Sequence, residues 1–244
     1  MILQSELELQ LNKIYNEDCF ETMARMPDDF VDLIVTSPPW NAKKDYGDYS
    51  DDNKPDFDEW LGKLCKEMER VVSTAVYVFM SQDHMWTVHN ALSGFKQWLF
   101  YHRRNLGASL HIKNPWIKTI TPIAMSIPKG KISMDSSHHG ISTMDLITGV
   151  NPQSNFPNNL RVHPAQDPVE AYLPLIARTP CNVVYDPFMG SGTTAMTCLK
   201  LGKNWIGSEI NPDYVTVAGN RINNHQAQET LFGVQEELDA LVSD

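Results

Sequence analysis

The eleven residues Tyr185-Asp-Pro-Phe-Met-Gly-Ser-Gly-Thr-Thr-Ala195 constrain this chain more than any other stretch. A short apolar strand, Val183 to Tyr185, delivers Asp186 to a loop whose glycines, Gly190 and Gly192, open directly into a helix expected from Thr194 to Leu201. Glycine lets a backbone turn sharply and approach a ligand where a Cβ would intrude. Glu209 ends the next expected strand, Trp205 to Ser208, 17 residues past Gly192, where a carboxylate can accept from both hydroxyls of a ribose. The pattern predicts an adenosine-type site. Gly190-Ser-Gly192-Thr-Thr-Ala195 also satisfies the GxGxxG/A spacing of NAD-dependent oxidoreductases. Position argues against that alternative: only about 50 residues follow the loop, too few for the strand and helix units a dehydrogenase adds there. The sheet must be completed by strands from earlier in the chain.

Those strands are readable. Ile14 and Tyr15 make a short one, a helix follows from Cys19 to Met26, and Val31 to Thr36 (VDLIVT) has the nearly continuous apolar run of a buried parallel strand, stopped by two prolines. A loop rich in Asp, Lys and Tyr runs from Asn41 to Pro55. Phe57 to Val72 carries apolar residues at helical spacing, and Ala75 to Phe79 is another strand. Beyond Lys96 the pattern weakens. Leu110 to Ile112 and Ile123 to Ile127 read as strands, and Lys129 to Asn159, rich in Gly, Ser, Asn and Pro, reads as loops. A helix from Pro168 to Arg178, a helix from Pro212 to Asn223 and a separate peripheral helix after Gln226 complete the chain. Strands alternating with helices predict an α/β fold around a parallel sheet, and the length of 244 residues favours one domain, 1–244, with loop insertions.

Charge is unevenly spread. The net charge is −10, yet between His84 and Met134 there is no acidic residue and seven basic ones, Lys96, Arg103, Arg104, Lys113, Lys118, Lys129 and Lys131. The rest of the chain holds the other 13 basic residues against all 30 acidic ones. The basic stretch, which also carries Trp98, Tyr101 and Trp116, is expected either to face phosphates with aromatic rings ready to stack or to be an ordinary basic surface over core aromatics. Four scattered cysteines without a CxxC pair, and histidines without suitably spaced partners, predict reduced thiols and no bound metal. No apolar run approaches the roughly 18 residues of a membrane span, which predicts a soluble, cytoplasmic protein without a membrane partner.

At the carboxyl end of the buried strand stands Thr36-Ser37-Pro38-Pro39-Trp40, where ligands of open α/β sheets bind. Successive prolines fix φ and donate no backbone hydrogen bond, leaving nearby carbonyls rigidly held and free to accept. Here the sequence resembles the amino-group DNA methyltransferases, whose catalytic motif is [DNS]PP[YFW] and whose cofactor motif contains FxGxG. The matching residues are Ser37-Pro38-Pro39-Trp40 and Phe188-Met-Gly190-Ser-Gly192. The catalytic motif precedes the cofactor motif, as in the β group of that family. NEDCFETMARMPDDFVDLIVTSPPW and HPAQDPVEAYLPLIA extend the likeness over most of Ile14 to Arg221.

The resemblance implies a Rossmann-like methyltransferase fold, a mostly parallel sheet with one antiparallel strand, and a target-recognition insert at about 96–160. It implies S-adenosylmethionine as cofactor and S-adenosylhomocysteine as product. Asp18, with Cys19 beside it, should meet the adenine; Glu209 the ribose; and Asp186, Pro187, Phe188, Gly190, Ser191, Gly192 and Thr193 the methionine part, flanked by His163 and Pro164. Asp167 stands where many relatives have lysine, which puts a basic role there in doubt. Ser37 and the Pro38 carbonyl should act on the target amino group, with Trp40 stacking on the base. Serine before the prolines, with His163-Pro164-Ala165, favours cytosine N4 over adenine N6. Double-stranded DNA is the implied partner, with Arg103, Arg104, Lys113 and Lys118 as expected phosphate contacts. A homodimer and a cognate restriction endonuclease are left open. RNA or protein methylation and a non-catalytic DNA-binding module are the remaining alternatives; motif order and intact sites argue against them. Cys181, just before the cofactor strand, is expected to be a buried small residue, not a nucleophile.

Overall fold

Val31–Thr36 is buried on both faces, as its continuous apolar run demands, and the rest of the molecule is arranged around it. The structure is a computed structural model describing residues 9–43, 52–104, 118–134, 144–151 and 166–242, with α6 beyond Gln228 described by its backbone alone. In chain order the elements are β1 (Lys13–Tyr15), α1 (Cys19–Ala24), β2 (Val31–Thr36), α2 (Phe57–Val71), β3 (Val72–Phe79), α3 (Met85–Ala91), β4 (Phe95–Arg103), β5 (Ile120–Ser126), β6 (Leu146–Gly149), α4 (Val169–Arg178), β7 (Val183–Asp186), α5 (Thr193–Lys200), β8 (Asn204–Ser208) and α6 (Pro212–Val242).

The eight strands form one sheet in the order β1-β8-β7-β2-β3-β5-β4-β6. All adjoining pairs are parallel except the two that β5 makes, with β3 and β4, so β5 is the one strand running against the others. Helices cover both faces. One face packs α1, α2 and α3 through Met23, Leu61, Leu64, Met68 and Val88; the other packs α4 and α5 through Ala171, Leu175, Ala195 and Cys198.

Local chemistry explains individual elements. In α2, Phe57, Leu61, Leu64, Cys65, Met68 and Val71 share the buried face, while Asp58 and Glu59 in the first turn and Arg70 in the last suit the helix dipole. Glu69, though buried, is fully used: its carboxylate accepts from Ser93 N and Oγ, Gly94 N and Ser126 Oγ. It thereby pins α2 to the entry of β4 and the exit of β5.

Two expectations change, and two elements appear that the sequence did not show. β4 and α3 were not legible, and β6 lies within the stretch read as loops. β6 is a short edge strand whose alternation puts only Ile147 and Gly149 inward, and its identity comes from pairing with Phe100 to Arg103. The last two helices are one, Pro212–Val242, because no residue in Asn223 to Gln228 breaks the helix. The strand expected at Leu110 to Ile112 lies outside the described residues.

Candidate cofactor and catalytic site

From β7 the chain passes through α5 to β8 in one direction; from β2 it passes through α2 to β3 in the other. The crevice between the ends of β7 and β2 is therefore the topological switch point of the sheet, where open α/β folds bind ligands. Both motifs found in the sequence sit on its rim: Ser37 follows β2 and Pro187 follows β7. β8 delivers Glu209 and β1 leads to Asp18 on the same edge, since β1, β8, β7 and β2 run parallel.

In the loop after β7, Gly190 and Gly192 adopt φ of +50° and +80°. Gly192 is the N-cap of α5, so the first amide groups of that helix open into the loop. Glu209 braces this turn: one carboxylate oxygen accepts from Gly190 N at 2.8 Å, the other from Asn211 N at 2.9 Å. Each oxygen keeps a lone pair for a further donor. Burial raises the Glu209 pKa, with the backbone donors of Asn211, Gly190 and Ile210 opposing it.

Asp186 is only 3% exposed and does not face the crevice as a free carboxylate. Oδ1 accepts from Thr36 Oγ1 at 2.8 Å and Phe188 N at 3.0 Å, and Oδ2 from Thr194 Oγ1 at 2.5 Å. Burial pushes its pKa up to about 6, with the hydroxyl donors opposing the shift. Because Thr36 immediately precedes Ser37, this one side chain ties the Ser-Pro-Pro-Trp tetrapeptide to the glycine loop. The sequence assigns Thr36 and Thr194 no role beyond ending a strand and opening a helix, although a threonine ending the strand before Ser-Pro-Pro is a visible signal.

Asp18 caps α1, accepting from Phe20 N with Oδ1 at 2.8 Å, and its other oxygen has no partner among the described residues. The Cys19 side chain is buried, and burial drives its thiol pKa well up. Pro187 is buried, Met189 packs over Gly207, and Phe188 meets Trp60 edge-on with centroids 5.9 Å apart. Trp40 is half-buried against the same apolar cluster. The Ser37 hydroxyl, half-exposed, makes no hydrogen bond to a described residue. Asn41 closes the loop after Trp40, accepting from Lys54 N and donating to Lys54 O.

Behind the glycine loop lies a residue that sequence reasoning missed. Arg221 on α6 donates from Nη1 to Ser191 O, Ser191 Oγ and Thr193 Oγ1 at 3.0, 3.3 and 3.2 Å. Thr193 Oγ1 in turn donates to Asp167 O at 2.9 Å, which brings the segment before α4 against the loop. His163 and Pro164, like Lys113 and Trp116, lie outside the described residues.

The basic stretch is partly committed to internal partners. Lys118 pairs with Asp83 at 2.6 Å, Lys129 with Asp29 at 3.1 Å, and Arg103 donates from Nη2 to Lys118 O. Arg104 is exposed at the end of β4. Tyr101 is 1% exposed and belongs to the core, so it cannot stack on a base. It is the one fully buried residue of β4, with Phe100 and His102 on either side only partly buried. Cys181 is buried, with burial pushing its thiol pKa up to about 11, the behaviour of an inert core thiol.

A glycine loop braced by Glu209 and a Ser-Pro-Pro-Trp turn meet at the switch point of an open α/β sheet, the arrangement of a ligand-binding α/β protein. The sequence profile of the DNA methylase family of N6 and N4 amino-group methyltransferases matches residues 31–139 and 136–220, and the chain belongs to that family. It is 24% identical over 230 residues to the type II methyltransferase M.HpaI of Haemophilus parainfluenzae, covering 85% of this chain and 73% of that one. Among solved structures, the PvuII DNA methyltransferase (cytosine-N4-specific) superposes with a TM-score of 0.69 at 18% identity, over 85% of this chain and 84% of the other. The M1.HpyAVI-SAM complex gives 0.63 at 22% identity, over 86% and 98%.

Proposed function

We propose that this DNA methylase transfers the methyl group of S-adenosylmethionine to the N4 amino group of cytosine in double-stranded DNA. The observation that carries the reading is the Thr36–Asp186–Thr194 linkage, which holds Ser37-Pro38-Pro39-Trp40 beside the glycine loop. The cofactor supplies an electrophilic methyl on a positively charged sulfur. The donor and acceptor set of the crevice fits it: Glu209 has lone pairs for two ribose hydroxyls, Asp18 has a free oxygen for an adenine amino group, and the α5 amide groups suit a carboxylate.

The chain's own contribution is positioning. The lone pair of an exocyclic amino group is delocalised into its ring, so the nitrogen attacks poorly until acceptors draw its hydrogens out of plane. The Ser37 hydroxyl and the Pro38 carbonyl are such acceptors, held rigid by the prolines. The base must leave the duplex to reach them, and Trp40 offers an aromatic face for it. The N–C bond forms as the C–S bond breaks, and the surplus amino proton passes to water. No covalent bond to the protein is needed. Cytosine is preferred because serine precedes the prolines. The recognition role belongs to the insert at 96–160, and the reading extends to a restriction endonuclease whose cutting the mark would block.

The test is sequencing of DNA from a host expressing the protein, with chemistry that separates N4-methylcytosine from N6-methyladenine. N4-methylcytosine in one sequence context is expected, and Ser37→Ala should lower transfer by at least about 100-fold while leaving cofactor affinity within about twofold. N6-methyladenine would move the target to adenine. Appearance of 5-methylcytosine, lost in Cys181→Ser, would overturn the mechanism.

A further inference from the structure

α6 crosses the back of the glycine loop so closely that a Cβ on Gly192 would stand 3.2 Å from the Cβ of Ala218. Three residues further along the helix, Arg221 reaches the loop from the same face. Its guanidinium spends three contacts on Ser191 and Thr193, and among the described residues no carboxylate pairs with it. Burial without such a partner lowers the Arg221 pKa, yet an arginine stays charged under all ordinary conditions. A half-buried cation has therefore been placed against the loop without being neutralised by the protein.

Resting on the reading that residues 186–193 hold the methionine part of the cofactor, we propose that Arg221 is a positioning residue that makes this loop selective for a carboxylate-bearing nucleoside. It acts through Ser191 and Thr193. It fixes the Ser191 carbonyl away from the crevice, so that this acceptor does not oppose an anion, and it orients the Thr193 hydroxyl toward Asp167 O. Its charge, poorly screened at this depth, adds to the α5 amide dipoles. The expected consequence is discrimination between S-adenosylhomocysteine, which carries the amino-acid carboxylate, and 5′-methylthioadenosine, which shares the nucleoside but lacks it.

Calorimetry with both compounds on the full chain, for Arg221→Gln and Arg221→Lys, provides the test. Arg221→Gln should raise the Kd for S-adenosylhomocysteine about tenfold, the size of one charge-assisted interaction. The Kd for 5′-methylthioadenosine should change less than about threefold, and Arg221→Lys should recover part of the lost selectivity through its charge. Taking a ratio within one folded variant separates this from general loosening of the loop. Equal weakening of both ligands, or of neither, would overturn the proposal. Glu209→Ala is the control for the reading beneath it: that variant should weaken both ligands alike, and if it weakened neither the cofactor site would be misplaced and the assignment of Arg221 would fall with it.

Discussion

Asp186 carries both structural and electrostatic consequences for its size. It satisfies three donors, and it does so as a carboxylate whose charge is expensive to bury. Its pKa is about 6 in the folded chain against 3.8 when unperturbed. Between those values the folded state binds more protons than the unfolded state, so its contribution to stability is fully present below about pH 4, declines as pH rises and is flat above about pH 6. Asp186→Asn keeps an acceptor for Thr36 and Phe188 N and lets Thr194 turn to Val35 O, which it already approaches at 3.3 Å. Urea unfolding of the two proteins should show wild type losing about 1 kcal/mol per pH unit relative to the asparagine variant across that window. A constant difference between the two would mean that Asp186 does not titrate there. Glu209 is argued in the same terms. Glu209→Ala removes two acceptors that also brace the turn, so the affinity for S-adenosylmethionine should fall by about 1.5 to 3 kcal/mol for each lost charged hydrogen bond, read by calorimetry. Unchanged affinity would refute the assignment.

Among the elements, the loop from β7 to α5 shows how much a local pattern can reveal. Two glycines before a helical run announce positive φ, and both adopt it. Gly192→Ala should cost about 1 to 3 kcal/mol, from left-handed backbone strain and from a Cβ pressed on Ala218. Thermal melting should show that loss together with weaker cofactor binding; a variant as stable as wild type would mean α6 can move aside. Arg221 left no comparable signal. Its spacing from Ala218 is readable, but that α6 lies against α5 is not. β4 was illegible for a related reason. Its apolar residues are divided between the two faces, Phe95 and Trp98 on the α3 side and Leu99 and Tyr101 on the α4 side, while Lys96 and Gln97 stay exposed, so neither a clean alternation nor a continuous apolar run survives.

At the scale of the whole molecule, charge distribution bears on where DNA would lie. The acid-free stretch is concentrated in α3, β4 and β5, beyond β3 from the cofactor side of the sheet. Arg103 ends β4 there and Arg104 follows it. Arg103→Ala/Arg104→Ala should weaken DNA binding across sequences and flatten its salt dependence, because fewer counterions are released. Affinity titrated against salt measures this. An unchanged slope with unchanged affinity would move the phosphate face to the loop after Trp40, whose base Asn41 and Lys54 close. Lys118, paired with Asp83, should add less than its charge suggests.

The sequence by itself determined the chemistry of the crevice and the elements flanking it. Proline pairs, glycines before a helix and a continuous apolar strand act through the conformations of their own few residues, so they are legible where they stand. Only the tertiary structure decided what meets across the chain: Thr36 with Asp186 over 150 residues, Arg221 behind Ser191, Tyr101 turned into the core, and Lys118 spent on Asp83. Hydroxyls and cations carry no intrinsic partner. Which carboxylate or carbonyl they find is set by strand order and helix packing, and those follow from burying the whole apolar surface at once.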